Sequence, residues 1–193
     1  MLCQFSVKNY KSIRDEITFD MQAAAISEHT DRVIKDSDEQ LFLPISAIYG
    51  PNGGGKSNVL EALQALGTMV LRPVHATKQN RAADYKFNRY PVKPFVFSEE
   101  GKNIPTEFEI FFRTKIAEYR YVLRIKEDIV VYESLDRVKL ETGRKSALFL
   151  RKGEEISLRG GFARLKISDG LSQSLPLLSY LGITYMNNDV VKD

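Results

Sequence analysis

The chain has a single cysteine, two histidines and no apolar run long enough to cross a bilayer. Each scarcity removes a class of protein. Cys3 alone rules out an internal disulfide framework and fits a reducing cytoplasm. His29 and His75 stand too far apart in sequence to suggest metal-ligand spacing. The opening MLCQFSVKNYK alternates apolar and polar residues, so it lacks the unbroken apolar core of a secretion signal. There is no internal repeat, coiled-coil heptad or low-complexity tract. Hydrophobic content of 43% and charged content of 27% describe an ordinary soluble, cytoplasmic unit with no membrane association. The net charge of +3 says little, but its distribution is uneven. Residues 1–40 hold five Lys/Arg against eight Asp/Glu, whereas 72–94 hold six against one.

The patterning that is present separates into strands and one helix. Cys3, Phe5 and Val7 alternate with Gln4, Ser6 and Lys8, which predicts a half-buried strand over 2–8. After a turn at 9–14, Ile17, Phe19 and Met21 alternate with Thr18, Asp20 and Gln22 and predict a second strand. Residues 27–40 are polar and read as a loop. The apolar run 45–49 behind Pro44 predicts a buried central strand. From Ser57 the period changes: Val59, Leu63, Leu66 and Val70 share a helical face with Glu61 pointing away, and Gly67 and Pro73 are expected to end the helix. Residues 73–103 contain three prolines and no sustained period, so they read as loop with short strands. Alternation returns with Phe108, Ile110 and Phe112, then Tyr119, Tyr121, Leu123 and Ile125, then 129–135 and 147–150, with Thr142-Gly143 as a turn. This predicts an antiparallel meander over about 105–167. Residues 171–181 read as a short helix.

Between the expected strand and helix stands Gly50-Pro51-Asn52-Gly53-Gly54-Gly55-Lys56-Ser57, which satisfies G-x-x-x-x-G-K-[ST]. Glycines let successive backbone N–H groups turn inward as an anion nest, and the following helix aims its positive end at the same point. The candidate phosphate-binding residues are therefore Gly50, Asn52, Gly53, Gly54, Gly55, Lys56, Ser57 and Asn58. Lys56, the candidate catalytic residue, would reach the β- and γ-phosphates. Ser57 would be a ligand of Mg²⁺, and Asn58 would approach the α-phosphate. The alternative, a glycine turn that binds nothing, lacks a reason for the flanking strand and helix.

The loop GPNGGGKSN resembles the P-loop of ABC-type ATPases of the SMC and RecF class, GxNGxGKSN, and FSVKNYKSI resembles the start of the same group. With MLCQFSVKNYKSIRDEITF, PTEFEIFF, EYRYVLRI and VVYESL, the chain is similar over nearly its whole length to bacterial AAA-family ATP-binding proteins related to the OLD (overcoming lysogenization defect) ATPases, often found in phage defence. The resemblance implies an α/β P-loop NTPase fold, specifically an ABC-ATPase-like first lobe. One domain over 1–193 is expected, with strands, P-loop and helix in 1–72, a basic loop region in 73–103, antiparallel strands in 104–167, and a short helix and tail in 168–193. It further implies ATP and Mg²⁺ as cofactors, a homodimer closing over the nucleotide, and a nuclease effector, fused or separate. In such ATPases, residues after the first strand help to hold base or ribose. That carries over to Asn9, Lys11 and Ser12, with a plain polar turn as the alternative. Arg72 is the nearest match to an arginine that follows the P-loop helix near phosphate and DNA, with service to the helix dipole as the alternative.

The departures bear on catalysis. ABC ATPases need an Asp-Glu strand end and a signature loop. Residues 129–134 offer Glu133-Ser134 instead, and read as an ordinary meander strand. Residues 157–161 echo a signature loop only faintly, and a hairpin turn explains them as well. Neither D-x-x-G nor N-K-x-D occurs, which excludes a GTPase. The meander argues against a small-molecule kinase, and a nucleotide-binding interaction module without hydrolysis stays open. Arg72, Lys78, Arg81, Lys86, Arg89 and Lys93 interleave with Tyr85, Phe87 and Tyr90, a pattern suited either to nucleic acid or to a solvated loop.

Overall fold

The computed structural model describes residues 1–25, 28–78, 92–167, 171–187 and 191. Among the described residues nine strands form: β1 (Leu2–Lys8), β2 (Ile17–Asp20), β3 (Ile34–Lys35), β4 (Leu41–Phe42), β5 (Thr106–Arg113), β6 (Ala117–Lys126), β7 (Ile129–Lys139), β8 (Lys145–Lys152) and β9 (Glu155–Leu158). The helices described with them are α1 (Lys56–Lys78), α2 (Glu99–Asn103) and α3 (Leu177–Thr184). Seven strands make one sheet in the order β2-β1-β5-β6-β7-β8-β9, every neighbour antiparallel. β3, within the stretch 27–40 expected to be plain loop, pairs separately with β4 just after it. No helix among the described residues is long and apolar enough to cross a membrane.

The strand period decides what each face does. Phe5 and Val7 of β1, Phe108 of β5, Tyr121, Leu123 and Ile125 of β6, Leu135 of β7 and Phe149 of β8 belong to one buried cluster. α1 contributes Ala62, Ala65, Leu66, Met69 and Val70 to the same cluster, and α3 contributes Leu177 and Leu181. The other face carries cross-strand ion pairs, Glu109 with Arg120 and Glu107 with Arg124, the latter guanidinium lying 4.8 Å from the Tyr132 ring centroid. Such half-exposed pairs set register more than they stabilise. Cys3 is buried, and burial pushes its thiol up to about 11.

Three expectations need correction. Residues 45–49 do not form a strand: the segment is irregular, with Ile45 81% and Tyr49 90% exposed. A strand needs a neighbour for its N–H and C=O groups, and none of the described strands pairs with this one. The helix does not stop at Gly67 or Pro73 but runs on to Lys78. Proline at 73 removes the amide that would bond the carbonyl of Met69 and disturbs the next bond, to Val70. The buried hydroxyl of Ser179 on α3 lies 3.2 Å from the first carbonyl and 2.8 Å from the second, so the freed acceptors are satisfied from outside the helix. The last helix begins at Leu177 rather than 171, directly after Pro176. In the region 73–103, the described residues hold the end of α1 and the short α2, and no strand. Residues 79–91 of the basic loop lie outside the described residues.

One buried polar residue fixes the turn after β1. Asn9 is 1% exposed and left-handed, with φ 55°. Its Nδ2 donates to the carbonyls of Gly101 and Ile104, both at 2.9 Å, and its Oδ1 accepts from the Phe95 N–H at 3.0 Å. The Thr106 hydroxyl donates to its carbonyl at 2.6 Å. Asn9→Ala should therefore lower unfolding free energy in urea by at least about 2 kcal/mol, because it strands buried backbone groups. Asn9→Gly, which suits the left-handed backbone, should recover only the conformational part of that loss. A shift below about 0.5 kcal/mol for Asn9→Ala would mean that water replaces the amide at no cost.

Candidate nucleotide-binding site

The glycine loop folds as its composition requires. Gly53 and Gly55 sit at φ 81° and 82°, in the region that side chains disfavour. The Gly54 N–H turns back to the Pro51 carbonyl at 3.1 Å, and the Asn58 N–H to the Gly55 carbonyl at 2.9 Å. α1 starts immediately at Lys56 and has no acidic residue in its first turn. Its first N–H groups have no partners within the helix, so the positive end is free of a competing carboxylate. Lys56 folds back over the loop, its Nζ donating to the carbonyls of Gly50 at 2.8 Å and Pro51 at 2.7 Å. Two of the three ammonium donors hold the chain in place and one remains.

This loop forms one end of an open groove of about 540 Å³, a size that suits a small ligand. Gly50, Gly54, Gly55 and Lys56 line it, together with Ser12. Asn52, Gly53 and Ser57 are exposed on the loop and at the start of α1. The remaining wall was not anticipated from the sequence: Ile13, Arg14, Asp15 and Ile17 from the β1–β2 turn, Ile48 and Tyr49 ahead of the loop, and Val59 of α1. The available signal was that, in the resembling ATPases, residues just after the first strand help to hold base or ribose. Asn9 does not line the groove, since its amide is committed to backbone elsewhere. Lys11 pairs with Glu61 on α1, and the Ser12 hydroxyl accepts from Asn58 Nδ2 at 2.6 Å. Arg72 lies within α1.

The residues fit a nucleotide triphosphate with its metal in part. A nest of two left-handed glycines, a helix start with no acidic residue in its first turn and a tethered lysine are donors for phosphate oxygens. Ser57 offers one hydroxyl to a metal. Among the described residues no group of three His, Cys, Asp or Glu side chains could hold a metal ion alone. Among the described residues Asp15 is the single carboxylate in the groove wall.

Glu133 sits apart from this groove. It is fully buried on β7, where it accepts the Leu177 N–H at 2.6 Å, the Leu178 N–H at 2.9 Å and the Tyr121 hydroxyl at 2.9 Å. Burial pushes its carboxyl up from the usual range, and the α3 amides, Tyr121 and the Arg151 charge pull it back. It is the cap of α3. Residues 157–161 end β9 and enter a 3-10 turn, with the Arg159 N–H bonded to the Leu148 carbonyl at 2.7 Å, so they belong to the sheet edge. His29 is exposed in a loop.

Residues 45–178, more than two thirds of the chain, match the model of a family described as an AAA domain, a proposed AbiEii toxin of a type IV toxin–antitoxin system. No curated protein matches the chain. The mostly antiparallel sheet with few helices is compatible with an α/β P-loop NTPase fold. The match begins at the apolar run before the glycine loop and takes in that loop, α1 and the meander, and on that span the chain belongs to the AAA-domain family of P-loop, ATPase-like proteins.

Proposed function

We propose that the chain binds ATP with Mg²⁺ and works as the nucleotide-binding lobe of an ABC-type ATPase head of the SMC/RecF/OLD group, gating an effector in bacterial phage defence. The observation that carries the reading is the cradle itself: two left-handed glycines, Lys56 tied over them, and a helix start with no acid. Gly50, Asn52, Gly53, Gly54, Gly55, Lys56 and Asn58 would hold the phosphates and Ser57 the metal, which would neutralise charge on the terminal phosphate. The family's toxin–antitoxin description supports a role in abortive infection. The open groove and the exposed apolar residues Ile45 and Tyr49 support a homodimer closing through the nucleotide site. A nuclease-like effector, fused or separate, and nucleic acid at the 72–93 loop complete the reading.

Lys56→Ala should nearly abolish ATP binding, because it removes the one ammonium placed inside the nest. Titration with a fluorescent ATP analogue measures this, and equal affinity of variant and parent would sink the assignment.

Ser57→Ala should weaken binding more in Mg²⁺ than in EDTA, since the lost group is a metal ligand. An identical loss in both buffers would reduce Ser57 to a helix-start residue.

The isolated chain should hydrolyse ATP no faster than its Lys56→Ala variant. Water attack needs a group to orient it, and the meander carboxylate nearest to such a motif, Glu133, is held under α3. Phosphate release that depends on Lys56 in the purified chain would overturn this.

A further inference from the structure

The turn joining β1 to β2 contains two left-handed residues that are not glycine, Asn9 at φ 55° and Lys11 at φ 50°. Such backbone persists only where its surroundings over-determine it. They do so here. The Asn9 amide is locked by three backbone groups, the Lys11 N–H donates to the Lys93 carbonyl at 2.7 Å, and Tyr10 and Ile13 exchange backbone bonds at 2.8 and 2.7 Å.

What this rigid turn presents is a pair of side chains, both already engaged with the P-loop helix. Ser12 Oγ accepts from Asn58 Nδ2 at 2.6 Å, and the Lys11 ammonium pairs with Glu61. Asn58 and Glu61 are three residues apart and share one side of the first turns of α1. A Cβ on Gly55 would lie 3.3 Å from Ser12 Oγ, so the hydroxyl also rests against the backbone of the nest. The Lys11 pair is half exposed and worth little by itself. The Ser12–Asn58 bond is also exposed, so what distinguishes it is its place against Gly55 rather than its strength.

We propose that Ser12, with Lys11 in support, is a positioning residue: it holds Gly55 and the first turn of α1 in their anion-binding shape and acts on the nucleotide only through that cradle. The inference rests on the phosphate-binding reading of the loop. A cradle already held in its bound shape avoids the ordering cost that a loose glycine loop pays on binding.

The test separates cradle from base by using two ligands, ATP and inorganic tripolyphosphate, each with Mg²⁺. Tripolyphosphate carries the phosphates without base or ribose. Ser12→Ala should weaken both ligands by the same factor, about threefold to tenfold, the worth of one hydrogen bond. Ser12→Thr should restore both, and Ser12→Ala should add nothing in an Asn58→Ala background. A Ser12→Ala loss confined to ATP would overturn the proposal in favour of direct contact with base or ribose. No loss, or full additivity with Asn58→Ala, would overturn it too. If the parent chain binds neither ligand, the phosphate-binding reading itself fails, and that is seen before any variant is compared.

Discussion

A buried side-chain amide has two donors and an acceptor oxygen to satisfy, and Asn9 spends both donors and its oxygen on the backbone of Phe95, Gly101 and Ile104. The segment it grips leads into β5, which is also the neighbour of β1 in the sheet. One residue therefore ties the end of the first strand to a stretch some ninety residues later. The left-handed backbone at Asn9 tips the following turn so that Lys11 and Ser12 meet α1. Local bonds between Tyr10 and Ile13 close the turn, and the Asn9 anchor fixes where the closed turn stands. The groove wall at Ser12 to Ile17 inherits its position from the same point.

The other end of α1 is held by a second buried polar chain of contacts. Glu133 caps α3 by accepting its first two amides, Arg151 lies across the β7–β8 ladder from it, and Ser179 of α3 reaches the carbonyls that Pro73 frees in α1. Arg151 in turn donates to the carbonyls of Gly153 and Leu175, which seats the approach to α3. The P-loop helix is thus pinned near its start through the β1–β2 turn and in its second half through α3. The α3 end of the link is a buried polar group, where geometry is strictly specified because an unmet bond is costly, whereas the ties at the start of α1 are exposed in whole or part and lean on the buried Asn9 behind them.

These long-range ties mark where the sequence stops being legible. The strands were readable because alternation is a local record of a two-sided sheet: Phe108 to Phe112 and Tyr119 to Ile125 point where their period says. The glycine loop was readable because its residues answer a backbone demand. The end of α1 was not, since Pro73 is tolerated only through Ser179, over a hundred residues away. The start of α3 was not, since its cap is a side chain forty-four residues earlier in place of a neighbouring serine or aspartate. At 45–49 the error was of another kind. Apolar composition states what a segment would gain from burial, and it does not supply a strand to pair with. In the groove, the lysine and glycines were foreseen, whereas Arg14, Asp15 and Val59 enter through tertiary placement that no spacing encodes.

The same energetics divide the proposed site into what this chain holds and what it does not. The glycine loop and Lys56 line the groove, and among the described residues its wall contains one carboxylate, Asp15. Glu133 cannot serve both α3 and the groove. Releasing it would leave the Leu177 and Leu178 amides and the Tyr121 hydroxyl buried without an acceptor and Arg151 without its counter-charge. Each buried donor left without an acceptor costs about 1–3 kcal/mol, and three of them are a large part of the roughly 5–15 kcal/mol by which folded domains are typically stable. Glu133 is structural because the fold cannot spare it, and in the proposed reading a water-orienting acid would come from another element.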